Sequence, residues 1–248
     1  MELEYLLLIG VGFLAGFINT IAGGGTLLTM PTLIFMGLPP SVANGTNRVA
    51  ILIQTAIGVK GFQSKGVTTH PFSIYLGISA LFGSLIGAQI AVDINAEVFN
   101  KILAIIMVFV IVMLLFKPKF SVNELIERTK GKYLIISIII FFLFGIYGGF
   151  INAGIGFMML IILPYVNRLS LVKSNATKVA VVCIYTIGAV IIFALNDKIN
   201  LKYGLILSLG NASGAWLSSR WSVAKGDKVV KIFIVLMISI MSIKLWFF

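Results

Sequence analysis

Gly16-Phe17-Ile18-Asn19 returns as Gly149-Phe150-Ile151-Asn152, 133 residues later, and a glycine-rich interruption follows each copy: Gly23-Gly24-Gly25 in the first, Gly154-Ile155-Gly156 in the second. Working outward, Pro31 recurs as Pro164 at the same spacing. Arg48-Val49-Ala50 recurs as Lys178-Val179-Ala180 and Gly58 as Gly188, both 130 residues on, and Gly87-Ala88 recurs as Gly214-Ala215 at 127. Two small deletions account for the drift. A repeat of this length sets the architecture before any element is placed: residues 1–116 form a first transmembrane repeat, 117–132 a polar cytoplasmic link, and 133–248 the second transmembrane repeat.

Composition places the repeat in a bilayer. Hydrophobic residues make up 59% of the chain and charged residues 11%, with a mean hydropathy of +1.09; soluble domains carry roughly 25% charge. A bilayer core needs roughly 20 apolar residues per helical span. Apolar runs predict helices at 4–22, 26–37 (short), 41–62, 71–92 and 98–116, and again at 133–152, 156–166 (short), 172–195, 201–219 and 229–247. The fold expected is all-α: a polytopic transmembrane helical bundle of about 8–10 segments in the cell membrane, in two homologous halves with broken or re-entrant helices near the midplane. Met1-Glu2-Leu3-Glu4 is acidic where a cleavable signal is basic, so the first segment is expected to be retained.

Orientation turns on the short second segment. If it crosses, each half has five crossings and the halves are inverted; if it does not, they are parallel. With the link inside (Lys117, Lys119, Arg128, Lys130, Lys132), Lys60 and Lys65 also fall inside, and five crossings bring Arg220, Lys225, Lys228 and Lys231 there too. The positive-inside pattern therefore favours inversion. It also explains the net charge of +11 without nucleic acid, since the cations lie in short connections.

All eight acids (Glu2, Glu4, Asp93, Glu97, Glu124, Glu127, Asp197, Asp227) fall at termini or connections. That argues against carriers built on intramembrane carboxylates and against enzymes needing a carboxylate pair. No metal or cofactor motif stands out: His70 is alone beside Pro71, and Cys183 is the single cysteine. Trp216, Trp221 and Trp246 lie near helix ends, as interfacial anchors do. Arg48 and Lys178 are the exceptional charges, one in each half near the start of the third helix. With Asn44, Asn47 and Thr55, Arg48 shares a helix face that Ser174, Thr177, Lys178 and Tyr185 repeat. Two readings stay open: the cations line an anion path, or they snorkel or satisfy helix carbonyls. The breaks Gly23-Gly24-Gly25 before Thr26, and Gly154 to Gly156, either offer helix N-termini to an anion or allow close packing. Asn19 and Asn152, just before them, cap freed backbone or contact substrate.

The run from Gly12 through Thr26, with Pro31 and then Gly45-Thr46-Asn47-Arg48, resembles the TauE/SafE family of sulfite-exporter-like membrane permeases over essentially the whole chain, with Asn175-Ala176-Thr177-Lys178 as a looser second copy. The resemblance implies secondary transport of small anions, sulfite and organosulfonates among them. The expected function is accordingly an anion exporter working by alternating access. Its partners would be a small anionic substrate and the lipid bilayer, with no nucleic acid, and homo-oligomerisation is left open. Its candidate binding residues are Asn19, Gly23, Gly24, Gly25, Thr26, Asn44, Thr46, Asn47, Arg48, Asn152, Gly154, Gly156, Ser174, Thr177 and Lys178. A passive anion channel and an accessory membrane subunit or intramembrane enzyme are the alternatives.

Overall fold

The computed structural model describes residues 2–95, 97–102, 105 and 126–247, and within these the side chains of all but 2, 227–231 and 233–247. Most of the expected 98–116 helix, the first part of the link, and the side chains of Lys228, Lys231 and Trp246 therefore lie outside the described residues. The helices are α1 (Glu2–Ile21), α2 (Thr26–Phe35), α3 (Pro40–Gln63), α4 (Phe72–Asp93), α5 (Lys132–Phe150), α6 (Ile155–Asn167), α7 (Leu171–Leu195) and α8 (Leu201–Phe247). Gly226, at φ 70° and ψ 179°, divides α8 into the two expected segments. No strand occurs among the described residues. By length and apolarity Leu3–Ile21, α4, α5 and α7 are able to span a bilayer, while α2 and α6 are apolar but short.

Local chemistry accounts for the boundaries. Pro40 opens α3 at a position where the missing N–H costs no helical bond. Ser170 caps α7, accepting a bond from the Lys173 amide at 3.2 Å. Pro31 and Pro164 sit inside α2 and α6 at matching positions.

Glycines then set the helix pairing. A side chain on Gly12 or Gly16 of α1 would run into the α8 backbone at Leu207 and Asn211, and one on Gly210 or Gly214 would meet α1 at Ile9 and Phe13. The same interlock joins Gly83 and Gly87 of α4 to Gly145 and Gly149 of α5. These are small-xxx-small interfaces, which let membrane helices approach backbone to backbone without help from a hydrophobic driving force. The first helix of each half thus packs on the other half, α1 on α8 and α5 on α4. The halves exchange partners.

The same contacts give directions. Gly12 lies by Leu207 and Gly16 by Asn211, and Gly204 lies by Thr46 and Gly61 by Ser219, so α1, α3 and α8 run one way. Gly83 lies by Phe142 and Gly87 by Ile146, and Gly77 lies by Ile184 and Gly188 by Ser84, so α4, α5 and α7 run together. Between the groups, Gly45 meets Phe193 while Gly58 meets Val179, which makes α3 and α7 antiparallel. Helices equivalent by the repeat therefore run in opposite directions. Gly25 of the α2 entry lies against Ala15, and Leu8 and Leu33 share a cluster, so α1 and α2 form a hairpin. Asn167 at the end of α6 bonds Ser137 near the start of α5, completing a second hairpin.

Charge follows direction. One end of the bundle carries Lys60, Lys65, Arg128, Lys130, Lys132, Arg168, Lys173, Arg220 and Lys225 with Glu127, which pairs Lys173 at 2.7 Å. The other end carries Glu4, Asp93, Glu97 and Asp197 with Lys101, Lys198 and Lys202.

Candidate functional site

The two hairpin tips touch. Gly23, at φ +95°, a conformation that only glycine adopts without strain, faces Gly156 so closely that a Cβ on either would overlap the other's backbone. Two glycine breaks 133 residues apart in sequence are thus one contact in space. Gly154 is also left-handed, at φ 73°, as is Asn152 at φ 62°. Gly24, Gly25 and Thr26 are buried in the first tip.

A helix that stops inside the bundle leaves its last carbonyls without intrahelical donors. Here each half's cation supplies them to the other half. Arg48, fully buried on α3, donates from Nη1 to the Gly148 carbonyl and from Nη2 to the Gly149 carbonyl (3.0 Å) and to Asn44 Oδ1 (3.1 Å). Asn44 in turn donates to the Phe150 carbonyl at 2.7 Å. Lys178 on α7 donates to the Asn19 carbonyl at 3.0 Å, the Thr20 carbonyl at 2.9 Å and Asn175 Oδ1 at 2.7 Å. Cations at helix C-termini also oppose the negative end of the helix dipole. An ammonium has three donors, so Lys178 is saturated; Arg48 keeps a buried Nε with no partner. Both cations satisfy helix carbonyls in this geometry.

Beside the tips lies a cavity lined by Asn19, Gln54, Thr55, Asn152, Ile155, Gly156, Lys178, Val179 and Val182. Four of the sequence-derived candidates (Asn19, Asn152, Gly156, Lys178) therefore share one wall system. Gly156 brings the first turn of α6, in which the Phe157 N–H turns back to the Gly154 carbonyl at 3.0 Å. Asn152 is held: Tyr185 Oη donates to its Oδ1, and its Nδ2 donates to Thr26 Oγ1 at 3.2 Å. Asn19 is looser, with Nδ2 3.4 Å from Gln54 Oε1. Gln54 Nε2 is buried without a partner.

The remaining candidates lie elsewhere in the bundle. Thr46 Oγ1 accepts from the Asn200 amide at 2.8 Å across the two halves, while Thr177 Oγ1 donates to the Lys173 carbonyl at 2.8 Å and Ser174 Oγ to the Leu169 carbonyl at 3.5 Å within their own helix entry, so all three serve backbone groups. Asn47 is buried, and neither of its amide atoms has a partner. Gln54 was not among the sequence candidates; its counterpart at a spacing of 130 is Ile184, so the repeat carries no signal for it. Its helical spacing of seven from Asn47 on the polar α3 face is the one available clue.

The described helices and their apolar surfaces accord with the comparisons to known proteins. A family model described as "Sulfite exporter TauE/SafE" matches residues 8–245. The chain is 30% identical over 244 residues to the "Probable membrane transporter protein YfcA" of Escherichia coli K12, covering 96% of this chain and 90% of that one. It is 27% identical over 235 residues to a "Probable membrane transporter protein" of Haemophilus influenzae, covering 95% and 91%. No solved structure matches it. The chain is a multi-pass helical membrane protein, and it belongs to the sulfite exporter TauE/SafE family of membrane transporters.

Proposed function

We propose that this protein is a secondary transporter that exports small anions, sulfite or an organosulfonate first among them, by alternating access between inverted repeats. The observation that carries the reading is the cavity at the hairpin tips. Its polar lining consists of two asparagines, a glutamine with a free N–H, a threonine, an ammonium and the entry of a helix, with no carboxylate. Such a lining favours an anion over a cation: it combines amide groups and the start of a helix with no carboxylate, and the Lys178 charge adds to the field even though its N–H groups are engaged elsewhere. Hairpins at matching places in two antiparallel halves are where transporters place substrate, and rocking one half against the other would expose the cavity to alternate sides. The basic end of the bundle becomes the cytoplasmic one. The family model's description supplies the sulfur oxyanion.

Thermal unfolding of the purified protein against a panel of sulfite, sulfate, sulfoacetate, acetate and chloride tests the cargo class, because a ligand binding only the folded form raises the melting temperature by mass action. The proposal predicts a saturable rise with sulfite or a sulfonate above that with chloride. A panel no different from chloride would overturn it.

A further inference from the structure

Three oxygens surround the Lys178 ammonium: the Asn19 and Thr20 carbonyls, at the end of an interrupted helix, and Asn175 Oδ1, at 3.0, 2.9 and 2.7 Å. No anion is among them. This is the ligand chemistry of a monovalent cation, and carbonyls freed where a membrane helix stops are what coordinate coupling sodium ions in transporters with broken helices. Here the charge at that place is covalently attached to α7. The second half repeats the device with different parts: Arg48 meets the Gly148 and Gly149 carbonyls and Asn44 Oδ1 at the end of α5. The asparagines are not equivalent by the repeat, since Asn44 corresponds to Ser174 and Asn175 to Gly45. Each half has assembled a two-carbonyl, one-amide oxygen set around a side-chain cation independently.

We propose that Lys178 is a tethered cation: it fills a carbonyl-built monovalent-cation site at the end of α1, so that the transporter works there without a bound alkali ion, and truncating the side chain converts the place into an alkali-ion site. An ammonium and a potassium ion are close in size, so the oxygens are already spaced for the larger alkali ions. The inference rests on the transporter fold and not on the cargo.

The test uses purified full-length protein, with potassium or sodium chloride titrated against N-methyl-D-glucamine chloride at constant ionic strength. Lys178→Ala melts below wild type and regains about 2–4 °C saturably with potassium or sodium. Wild type stays flat, as does Lys178→Met, whose thioether stem occupies the space without a charge. A folded Lys178→Ala protein indifferent to alkali ions would overturn the proposal. So would a saturable alkali-specific rise in wild type, an arm that decides the matter even where the alanine variant yields no folded protein. In proteoliposomes, replacing sodium by N-methyl-D-glucamine on both sides changes wild-type sulfite counterflow by less than about twofold; a saturable sodium requirement would likewise contradict it. Absence of sulfite flux in every buffer would count against the cargo assigned above and leave the melting result to stand on its own.

Discussion

Asn19 and Asn152 occupy the same place in the two repeats, yet one side chain is held and the other only loosely engaged. Asn152 has its carbonyl oxygen engaged by Tyr185 and its amide engaged by Thr26, across the two halves. Asn19 has one long contact, to Gln54, whose own amide nitrogen is left buried and unpaired. The substitution that makes the difference is Tyr185, where the first repeat has Thr55: a phenol reaches the tip and a threonine does not, its hydroxyl bonding the Ile51 carbonyl at 2.8 Å instead. The Asn152 side chain is thus closed by bonds on both its atoms, while the Asn19 side keeps an unpaired donor beside it. Unpaired buried donors cost stability, and retaining one beside a cavity is what a binding site requires.

The largest effect expected from breaking this arrangement is at the cation that holds the end of α5. Arg48→Ala orphans the Gly148 and Gly149 carbonyls, at about 1–3 kcal/mol each, and a loss of about 2–6 kcal/mol should show as a collapsed melting temperature; Arg48→Lys, with fewer donors in a different geometry, should recover part of it. Gly23→Ala comes next. A left-handed alanine costs about 1–2 kcal/mol, and overlap with Gly156 adds about 1–3 kcal/mol. Gly37→Ala is the internal control, because Gly37 is also left-handed, at φ +89°, but has open space around it. Melting of the two variants side by side separates tip contact from backbone strain; equal losses would show that the tips do not depend on touching. Tyr185→Phe should cost about 1–2 kcal/mol by freeing Asn152 Oδ1, making the held side chain resemble the loosely engaged one. Smallest in stability is Gln54→Met: it removes a polar group with one long bond and an unpaired amide, so unfolding should move by less than about 1 kcal/mol while transport falls.

Much of the architecture was legible in the sequence because the repeat is carried by residues that constrain backbone. Glycine breaks, Pro31 with Pro164, and apolar length placed α1 to α7 to within a few residues. What did not follow was how the halves meet. The four glycine pairs that lock α1 to α8 and α4 to α5 are spaced for helix contact, but partner exchange between halves is a tertiary fact with no local signature. For the same reason the sequence left Arg48 and Lys178 undecided between a substrate path and helix carbonyls, since the carbonyls they meet are about 100 and 158 residues away. Hairpin formation by α1 and α2 was also hidden: a short apolar segment reads alike whether it continues across or folds back. Gln54 was invisible to a repeat comparison because only one half keeps a polar group there.

The claim that matters most is that cargo passes through the cavity between the unequal tips. Counterflow of radiolabelled sulfite into proteoliposomes, run in parallel for wild type and Gln54→Met matched for melting temperature, tests it most directly. The account predicts saturable wild-type uptake and a loss of about tenfold or more in the variant, of the size expected when a buried donor to a charged ligand is removed. Equal saturable uptake by both proteins would place the substrate path elsewhere and contradict it.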